Sequence, residues 1–260
     1  MTSTPTSTPD APSPTTIEQE EETHDKLLPV RTSIPASMVS RVLNRSILRL
    51  LDVLTRKARG IKRHVRGVEH LDEVRGPFII ACNHVSLLDS PMLHISLPRR
   101  HARRIAVVGG LDFFAPRPSH SFLRVLWRRT VVWFIRSSIN VALINRSSGD
   151  YSNLELIENL LSKGWSLVIF PEATRSRSGA RGRMRLGVAE LARRHGCSVL
   201  PGHIDGTNTV LPIGSTLPQH GVMRISIGTP MRIEESESTR MFVDRLAQRI
   251  DDVGREEWAE

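Results

Sequence analysis

Short apolar segments that alternate with amphipathic helical patterns are the feature that most constrains the fold of this 260-residue chain. The apolar segments have the length of strands, and the stretches between them repeat leucine, isoleucine and valine at helical spacing. The predicted strands are residues 77–82, 104–108, 141–144, 167–170, 198–204 and 223–227. The predicted helices are residues 90–97, 152–163, 183–195 and 239–253. This alternation predicts one layered α/β sheet flanked by helices, and it leaves the strand order open.

Polar blocks follow two of these strands directly. Asn83-His84-Val85-Ser86-Leu87-Leu88-Asp89 comes after the first strand, and Phe170-Pro171-Glu172-Ala173-Thr174-Arg175-Ser176 begins at the end of the fourth. Sites in α/β proteins lie at the carboxyl ends of strands, so we expect both blocks in a single crevice. A histidine with an aspartate provides a base and its orienting group, while threonine, arginine and serine provide donors to an anion.

Neither block identifies a reaction by itself. A lone His-x4-Asp is a weak signal, because His84 also fits a loop histidine and Asp89 also fits a helix cap before Ser90-Pro91. Arg146 follows the third strand and fits a solvated arginine as well as a phosphate ligand. No serine or cysteine stands out as a covalent nucleophile, so His84 would deprotonate a hydroxyl of the substrate itself.

Together, the ordered blocks resemble the glycerophospholipid acyltransferase family (1-acyl-sn-glycerol-3-phosphate or lysophospholipid acyltransferases) from about residue 68 to residue 233. The family's marks are Asn-His-x4-Asp, a later arginine block, Phe-Pro-Glu-Gly-Thr-Arg-Ser, and a strand ending in proline, here Val199-Leu200-Pro201. The resemblance implies a mixed sheet. It also implies transfer of a fatty acyl group from acyl-CoA or acyl carrier protein to a lysophospholipid, most simply 1-acylglycerol-3-phosphate, with no cofactor and no metal.

The resemblance also assigns roles to single residues. His84 is the expected general base and Asp89 its partner, and the residues expected at the substrate phosphate are Arg146, Glu172, Thr174, Arg175 and Arg185. Two departures are visible. Ala173 replaces a family glycine and its easy access to positive φ, and Arg185-Leu186-Gly187 replaces Lys-x-Gly. The open alternatives are another hydroxyl acceptor (a larger lysophospholipid, a lipoamino acid or a glycolipid) and a lipid-binding relative with weak catalysis.

The segments before the acyltransferase-like residues 67–260 differ from them in composition. Residues 1–33 are rich in serine, threonine and proline and then acidic, which predicts a disordered tail. Residues 34–66 contain an amphipathic basic helix, predicted over 37–58 and followed by a basic stretch, 59–64. Two interpretations are open: the helix docks its apolar face on the domain, or it lies on an anionic lipid surface.

The charge of the chain bears on its partners and location. The sequence has 36 Lys and Arg against 27 Asp and Glu, a net charge of +9, which attracts phosphate. Because there is one tyrosine and no aromatic run with base-stacking spacing, we expect an anionic membrane surface rather than nucleic acid. The Arg- and Trp-rich residues 122–136 fit a core element or a membrane-facing one.

Cysteines and hydropathy complete the expectation about location. Cys82 and Cys197 make neither a disulfide scaffold nor a metal site, and Cys82 fits a small core residue. No stretch has the length and hydropathy of a membrane span, and the first residues lack a signal-peptide pattern. We therefore expect a peripheral protein on the cytoplasmic side of a membrane.

Overall fold

The computed structural model describes residues 38–110, 126, 130, 133–134, 137–144, 151–172, 184–212, 215 and 217–258. The strands in these ranges are β1 Lys62–Arg66, β2 Phe78–Cys82, β3 Ile105–Gly110, β4 Val141–Ile144, β5 Ser166–Ile169, β6 Ser198–Asp205 and β7 Val222–Ile227. They form one sheet in the order β1-β7-β6-β2-β5-β3-β4. The central strand β2 is buried along its whole length, so the polar block that follows it emerges in the middle of the sheet.

The sheet is mixed, as the resemblance implied. Five neighbouring strands, β6, β2, β5, β3 and β4, run parallel to one another. β7 pairs antiparallel with β6, and β1 pairs parallel with β7. All six predicted strands are present, with small differences at their ends. β1 was assigned instead to the helical segment 34–66, because Lys-Arg-His-Val-Arg contains no apolar run. Such a charged strand suits the edge of a sheet, where it opposes pairing with another chain.

Helices cover both faces of the sheet. They are α1 Met38–Arg59, α2 Asp89–Ser96, α3 Arg99–Ala102, α4 Tyr151–Ser162, α5 Gly187–His195, α6 Thr207–Val210 and α7 Thr239–Arg255, with a 3₁₀ turn at Val68–Glu73. Side chains of β2 alternate between the faces. Ile80 and Cys82 pack into the cluster that contains residues of α2, whereas Ile79 and Ala81 pack against α4, α5 and α7. The four longer helices after β1 were predicted, but α5 begins at Gly187 and the residues before it, 184–186, are not helical. The short α3 and α6 were not predicted.

α1 lies over the α2 face of the sheet with its polar side inward. Asn44 Nδ2 donates to Ser137 Oγ at 2.6 Å, just before the edge strand β4. Asp52 accepts a hydrogen bond from Arg63 Nη1 at 2.9 Å, and Arg63 belongs to β1 at the opposite edge. α1 is therefore fixed by polar contacts at two points along its length, Asn44 and Asp52.

The apolar side of α1 faces outward. Its exposed side chains, 37% to 58% accessible, are Val42, Leu43, Ile47, Leu50, Leu51, Val53 and Leu54. Leu48, on the opposite side of the helix, packs against the core. Docking through the apolar face, one of the two interpretations from the sequence, is therefore wrong, because Asn44 and Asp52 occupy the docked side. None of the described helices has the length and hydropathy needed to cross a membrane.

Candidate active site

His84 and Asp89 meet at the carboxyl end of β2. His84 lies in the loop after the strand, and Asp89 is the first residue of α2. Nδ1 of His84 is 2.7 Å from Oδ2 of Asp89; the histidine side chain is 17% exposed and the aspartate is fully buried. A carboxylate can only accept, so we assign the imidazole proton to Nδ1. Nε2 then keeps a lone pair that can take a proton.

Asp89 is held by four donors. Besides His84, its Oδ2 accepts from the backbone N–H groups of Val85 at 2.7 Å and Ser86 at 2.8 Å. Oδ1 accepts from the hydroxyl of Thr207. Both carboxylate oxygens are therefore occupied, which offsets a burial that would otherwise cost several kcal/mol. The two backbone donors precede α2, so Asp89 does not cap the first turn of that helix; it orders the loop that carries His84.

Thr207 is a partner of Asp89 that the sequence analysis missed. It is fully buried at the start of α6, and 118 positions separate it from Asp89 along the chain. Gly206, directly before it, has a φ of +75°, and a Cβ there would lie 1.9 Å from the carbonyl oxygen of Val222. Only glycine permits this turn. The Gly-Thr pair is visible in the sequence, but no local pattern connects it to an aspartate so far away.

Asn83 and Ser86 tie the same loop to the neighbouring part of the sheet. Asn83 Nδ2 donates to the carbonyl of Ile204, and Asn83 Oδ1 accepts from the N–H of Ile204, both at 2.8 Å. Ser86 Oγ donates to the carbonyl of Leu211 at 3.3 Å. Because β2 and β6 are adjacent, these bonds continue the contact between the two strands beyond their ends. The loop is thereby fixed on both sides of His84.

Phe170 links the two polar blocks. Its ring stacks on the imidazole of His84, with 4.3 Å between the ring centroids and 24° between the planes. Glu172 follows at 8% exposure. The backbone N–H of Arg185 donates to the carbonyl of Pro171 at 3.0 Å, while the Arg185 side chain is exposed. The structure therefore brings Glu172 and Arg185 to the block beside His84. The sequence analysis took Phe170 only as the end of a strand.

Other predicted site residues lie outside the described residues. They are Arg146, Thr174 and Arg175, together with the unusual Ala173. Cys82 is fully buried in the core, and burial raises the pKa of its thiol. His203 and Asp205 end β6, and Asp205 is 3.6 Å from the exposed Arg224, in keeping with a structural role. In the part of the chain that is described, no three His, Cys, Asp or Glu side chains are grouped to hold a metal ion.

Fold and site together define an α/β protein with a histidine–aspartate pair at the carboxyl end of the central strand of its sheet. A family model described as Acyltransferase matches residues 62–205, more than half of the chain, and the chain belongs to that family. The matched region begins at β1 and contains both polar blocks. Thr207 lies just beyond it.

Individual relatives and one solved structure agree with this assignment. The chain is 28% identical over 173 residues to chloroplastic 1-acyl-sn-glycerol-3-phosphate acyltransferases of Arabidopsis thaliana and Brassica napus. These alignments cover 65% of this chain but 44% and 45% of those proteins, so the chain spans less than half the length of the curated relatives. The crystal structure of the 1-acyl-sn-glycerophosphate acyltransferase of Thermotoga maritima shares the fold, with a TM-score of 0.59 and 19% identity over 94% of this chain and 90% of that one.

Proposed function

We propose that this protein transfers a fatty acyl group from acyl-CoA or acyl carrier protein to the free hydroxyl of a lysophospholipid in phospholipid synthesis, with 1-acylglycerol-3-phosphate as the acceptor. The observation that carries the proposal is His84 Nδ1 paired at 2.7 Å with a buried Asp89 that has both oxygens occupied. The names of the curated relatives support the choice of acceptor. The family membership supports the reaction class.

In the proposed reaction, His84 moves one proton twice. The acceptor hydroxyl gives its proton to Nε2 of His84 while its oxygen attacks the thioester carbonyl. The tetrahedral intermediate then collapses, the carbon–sulfur bond breaks, and the departing sulfur takes the proton from Nε2. An ester and a free thiol result, and no covalent enzyme intermediate forms. Asp89 stabilises the imidazolium between the two transfers and keeps the ring oriented.

The oxyanion of that intermediate needs donors from elsewhere in the site. The N–H groups of Val85 and Ser86 are directed at Asp89, so they are not free to bind it. We assign oxyanion stabilisation to donors of the second block, residues 170–176, because Phe170 of that block lies against His84.

The acceptor phosphate is assigned to arginines around the second block. Guanidinium groups bind phosphate through paired hydrogen bonds, which suits Arg146, Arg175 and Arg185. The exposed side chain of Arg185, whose backbone is bonded to Pro171, supports this role for Arg185. Glu172 is assigned to order these arginines and Thr174 to donate to the phosphate.

A lipid acceptor requires access to a membrane. The outward apolar face of α1, with leucines up to 58% exposed, supports a peripheral position on a membrane surface. We assign this position to an anionic surface because the net charge of the chain is +9, and we place it on the cytoplasmic side. Leu126 and Trp133 are 51% and 48% exposed and add apolar surface. They belong to residues 122–136, for which the sequence allowed either a core or a membrane-facing position. A tryptophan suits the depth of the headgroups.

The test is acyl transfer by the purified full chain and a His84→Ala variant, with acyl-CoA and acyl carrier protein as donors in parallel. The acceptors are 1-acylglycerol-3-phosphate, larger lysophospholipids, a lipoamino acid and a glycolipid. We expect product from the wild type and a loss of about 10³-fold or more in His84→Ala, since a general base contributes 10²–10⁴-fold. The control is His70→Ala, which removes a histidine paired with Glu73 at the surface.

Each outcome of this test assigns the function. If the protein acylates only another acceptor, the proposed acceptor is wrong but the proposed mechanism stands. Near-normal turnover in His84→Ala refutes the mechanism. If the protein binds vesicles but turns over no acceptor, it is a lipid-binding protein rather than an acyltransferase.

A further inference from the structure

The ring of Phe170 lies against the face of His84 because of where β5 ends. Alternate side chains of β5 point to opposite faces of the sheet. Leu167 packs on the α4 side, Val168 packs on the α2 side, and Phe170, directly after the strand, is again on the α2 side. β5 is paired with β2, and the loop after β2 carries His84. Strand alternation and strand pairing therefore bring an aromatic ring to this histidine.

Phe170 is itself held in place. It is 9% exposed and belongs to the same apolar cluster as Met92 and Leu93 of α2, the helix that begins with the partner of His84. The carbonyl of the next residue, Pro171, accepts a hydrogen bond from the backbone N–H of Arg185 at 3.0 Å. Both the ring and the adjoining backbone are therefore fixed, so the ring can act as a support for another side chain.

The contact with Asp89 leaves the plane of the His84 ring only partly constrained. The torsion that turns an imidazole about its Cβ–Cγ bond has a broad energy well. The one hydrogen bond from Nδ1 to Asp89, 2.7 Å long, tolerates a tilt of about 30° before it weakens steeply. Such a tilt would move Nε2 by roughly 1 Å, and a displacement of that size can cost about 100-fold in rate. The proposed proton transfers therefore need a second constraint on the ring.

Phe170 provides this second constraint. The two ring centroids are 4.3 Å apart and the planes are inclined by 24°, a stacked arrangement of the kind that aromatic rings favour. The hydrogen bond to Asp89 holds the Nδ1 edge of the imidazole, and the stacked ring covers one of its faces. Edge and plane are then both defined, which fixes the direction of the lone pair on Nε2.

We propose that Phe170 is a positioning residue for the base: its ring holds the imidazole of His84 in the plane in which Nδ1 donates to Asp89 and Nε2 meets the acceptor hydroxyl. The effect on the rate rests on the proposed function, whereas the effect on the mobility of His84 does not. A leucine would fill much of the same space in the core but has no flat face to stack on the imidazole. The position therefore requires an aromatic side chain and not only an apolar one.

The first test measures the mobility of the His84 ring by ¹³C NMR relaxation in the full chain with labelled histidine. The signals of His84 are identified by their absence in His84→Ala. We expect the order parameter of the ring C–H bonds to be about 0.85 in the wild type and to fall towards about 0.6 in Phe170→Leu. An unchanged order parameter in Phe170→Leu would overturn the proposal.

The second test measures acyl-transfer kinetics of the same variant. We expect Phe170→Leu to lower kcat by about 10- to 100-fold and to leave the KM of both substrates unchanged, because Phe170 contacts the base and no substrate. Phe170→Tyr keeps the flat ring and should recover most of kcat together with the rigid His84 ring. A wild-type kcat in Phe170→Leu, or an equal loss in the leucine and tyrosine variants, would contradict a positioning role.

Phe78→Leu is the matched control, since it makes the same replacement in the same apolar cluster. Phe78 is 3% exposed, and its ring lies 5.7 Å from that of His101, centroid to centroid, and not against His84. Both leucine variants remove a buried ring and should lower the thermal midpoint. Only Phe170→Leu should mobilise His84 and lower kcat. An equal loss of kcat in both would mean that the rate follows the stability of the core, and the proposal would fail.

The two measurements separate this proposal from the proposed function. If the wild type transfers no acyl group, the proposed function fails, and the mobility of His84 still decides whether Phe170 holds the ring. If Phe170→Leu is slow while His84 stays rigid, the loss comes from a displaced second block and not from the base. That result would overturn the positioning role and leave the proposed function standing.

Discussion

The two ends of α2 hold buried polar residues in opposite situations. At its start, Asp89 is fully buried and both of its oxygens are occupied by hydrogen bonds. Five residues later, His94 is 1% exposed, and neither ring nitrogen has a partner among the described residues. The hydrogen bonds at the first end are complete within the chain, as the proposed catalysis requires of a geometry fixed in advance. At the second end a polar ring is buried, and among the described residues it has no hydrogen-bond partner.

A second contrast separates the loop of His84, which is bonded to the sheet on both sides, from α1, whose apolar face is exposed. The loop of His84 is bonded to β6 through Asn83 and to the residue after α6 through Ser86. α1 is held by polar contacts of Asn44 and Asp52, which leaves its apolar face exposed. Variants that disturb one end of α2 and leave the other intact test whether the two ends act independently.

The largest effect is expected from Asp89→Asn, which disrupts the hydrogen bonds at the start of α2. The amide keeps one acceptor oxygen where Asp89 has two, so it cannot serve all four donors or enforce the Nδ1–H tautomer of His84. We expect kcat to fall by about 10³–10⁴-fold, and the free energy of unfolding to fall by about 1–3 kcal/mol because buried donors lose their acceptor.

Acyl-transfer kinetics and thermal unfolding check this prediction. The control is Asp72→Asn, an exposed carboxylate paired with Arg100 and His101, for which we expect unchanged kcat. A kcat within tenfold of wild type in Asp89→Asn would show that the tautomer is not set by Asp89.

The next largest effect is expected at the outward face of α1. Leu43→Glu/Leu50→Glu places charges at two positions that are each 58% exposed. Vesicle affinity should fall by about 100-fold or more, because a buried leucine contributes about 1.5–3 kcal/mol. The thermal midpoint should not change, since neither side chain is packed in the core. Flotation with vesicles and a thermal melt measure both quantities.

A charge-matched control sharpens this prediction. Met241→Glu/Gln248→Glu adds the same charge to exposed positions on α7 and is expected to leave vesicle affinity within a few-fold of wild type. If both double variants lose affinity equally, net charge rather than the face of α1 controls membrane binding.

Sequence reasoning succeeded where local patterns carry the information and failed where distant residues meet. The apolar runs predicted six strands because a buried strand needs continuous apolar residues, and family resemblance supplied the mixed sheet. β1 was missed because Lys-Arg-His-Val-Arg has no such run. Thr207 was missed because it meets Asp89 only after the chain has folded. The orientation of α1 was also not predictable, since periodicity shows that a helix is amphipathic but not which side docks.

The buried side chain of His94, near the end of α2, predicts that the stability of the protein depends on pH. The pKa of His94 is lowered to about 3 in the folded protein, mainly by burial, against about 6.5 when unfolded. Between these values the unfolded chain binds more protons, so the free energy of unfolding decreases as the pH falls from 6.5 towards 3. The slope from this group is about 1.4 kcal/mol per pH unit.

Urea denaturation of the wild type and His94→Leu at several pH values isolates this slope. We expect the variant to lack this contribution, so on acidification from pH 6.5 towards 3 the wild type loses free energy of unfolding relative to the variant by about 1.4 kcal/mol per pH unit. His195→Leu, a partly exposed histidine at the end of α5, is the control and should keep the wild-type slope. Parallel curves for wild type and His94→Leu would mean that His94 is not buried in solution.

The smallest effect is expected from a change at Thr207. This change tests whether catalysis needs the hydrogen bond from Thr207 to Asp89 Oδ1 in addition to the three donors on Oδ2. Thr207→Val keeps the shape of the side chain and removes the hydroxyl that donates to Oδ1, while His84, Val85 and Ser86 still hold Oδ2. Because Thr207 acts through Asp89 and touches no substrate in the proposed reaction, kcat should fall by about tenfold or less with KM unchanged, in line with one lost hydrogen bond to a charged group. Thr207→Ser restores the donor and should recover most of the rate, which a purely structural role for the methyl group would not predict. An unchanged kcat in Thr207→Val would show that the three donors on Oδ2 suffice to position Asp89.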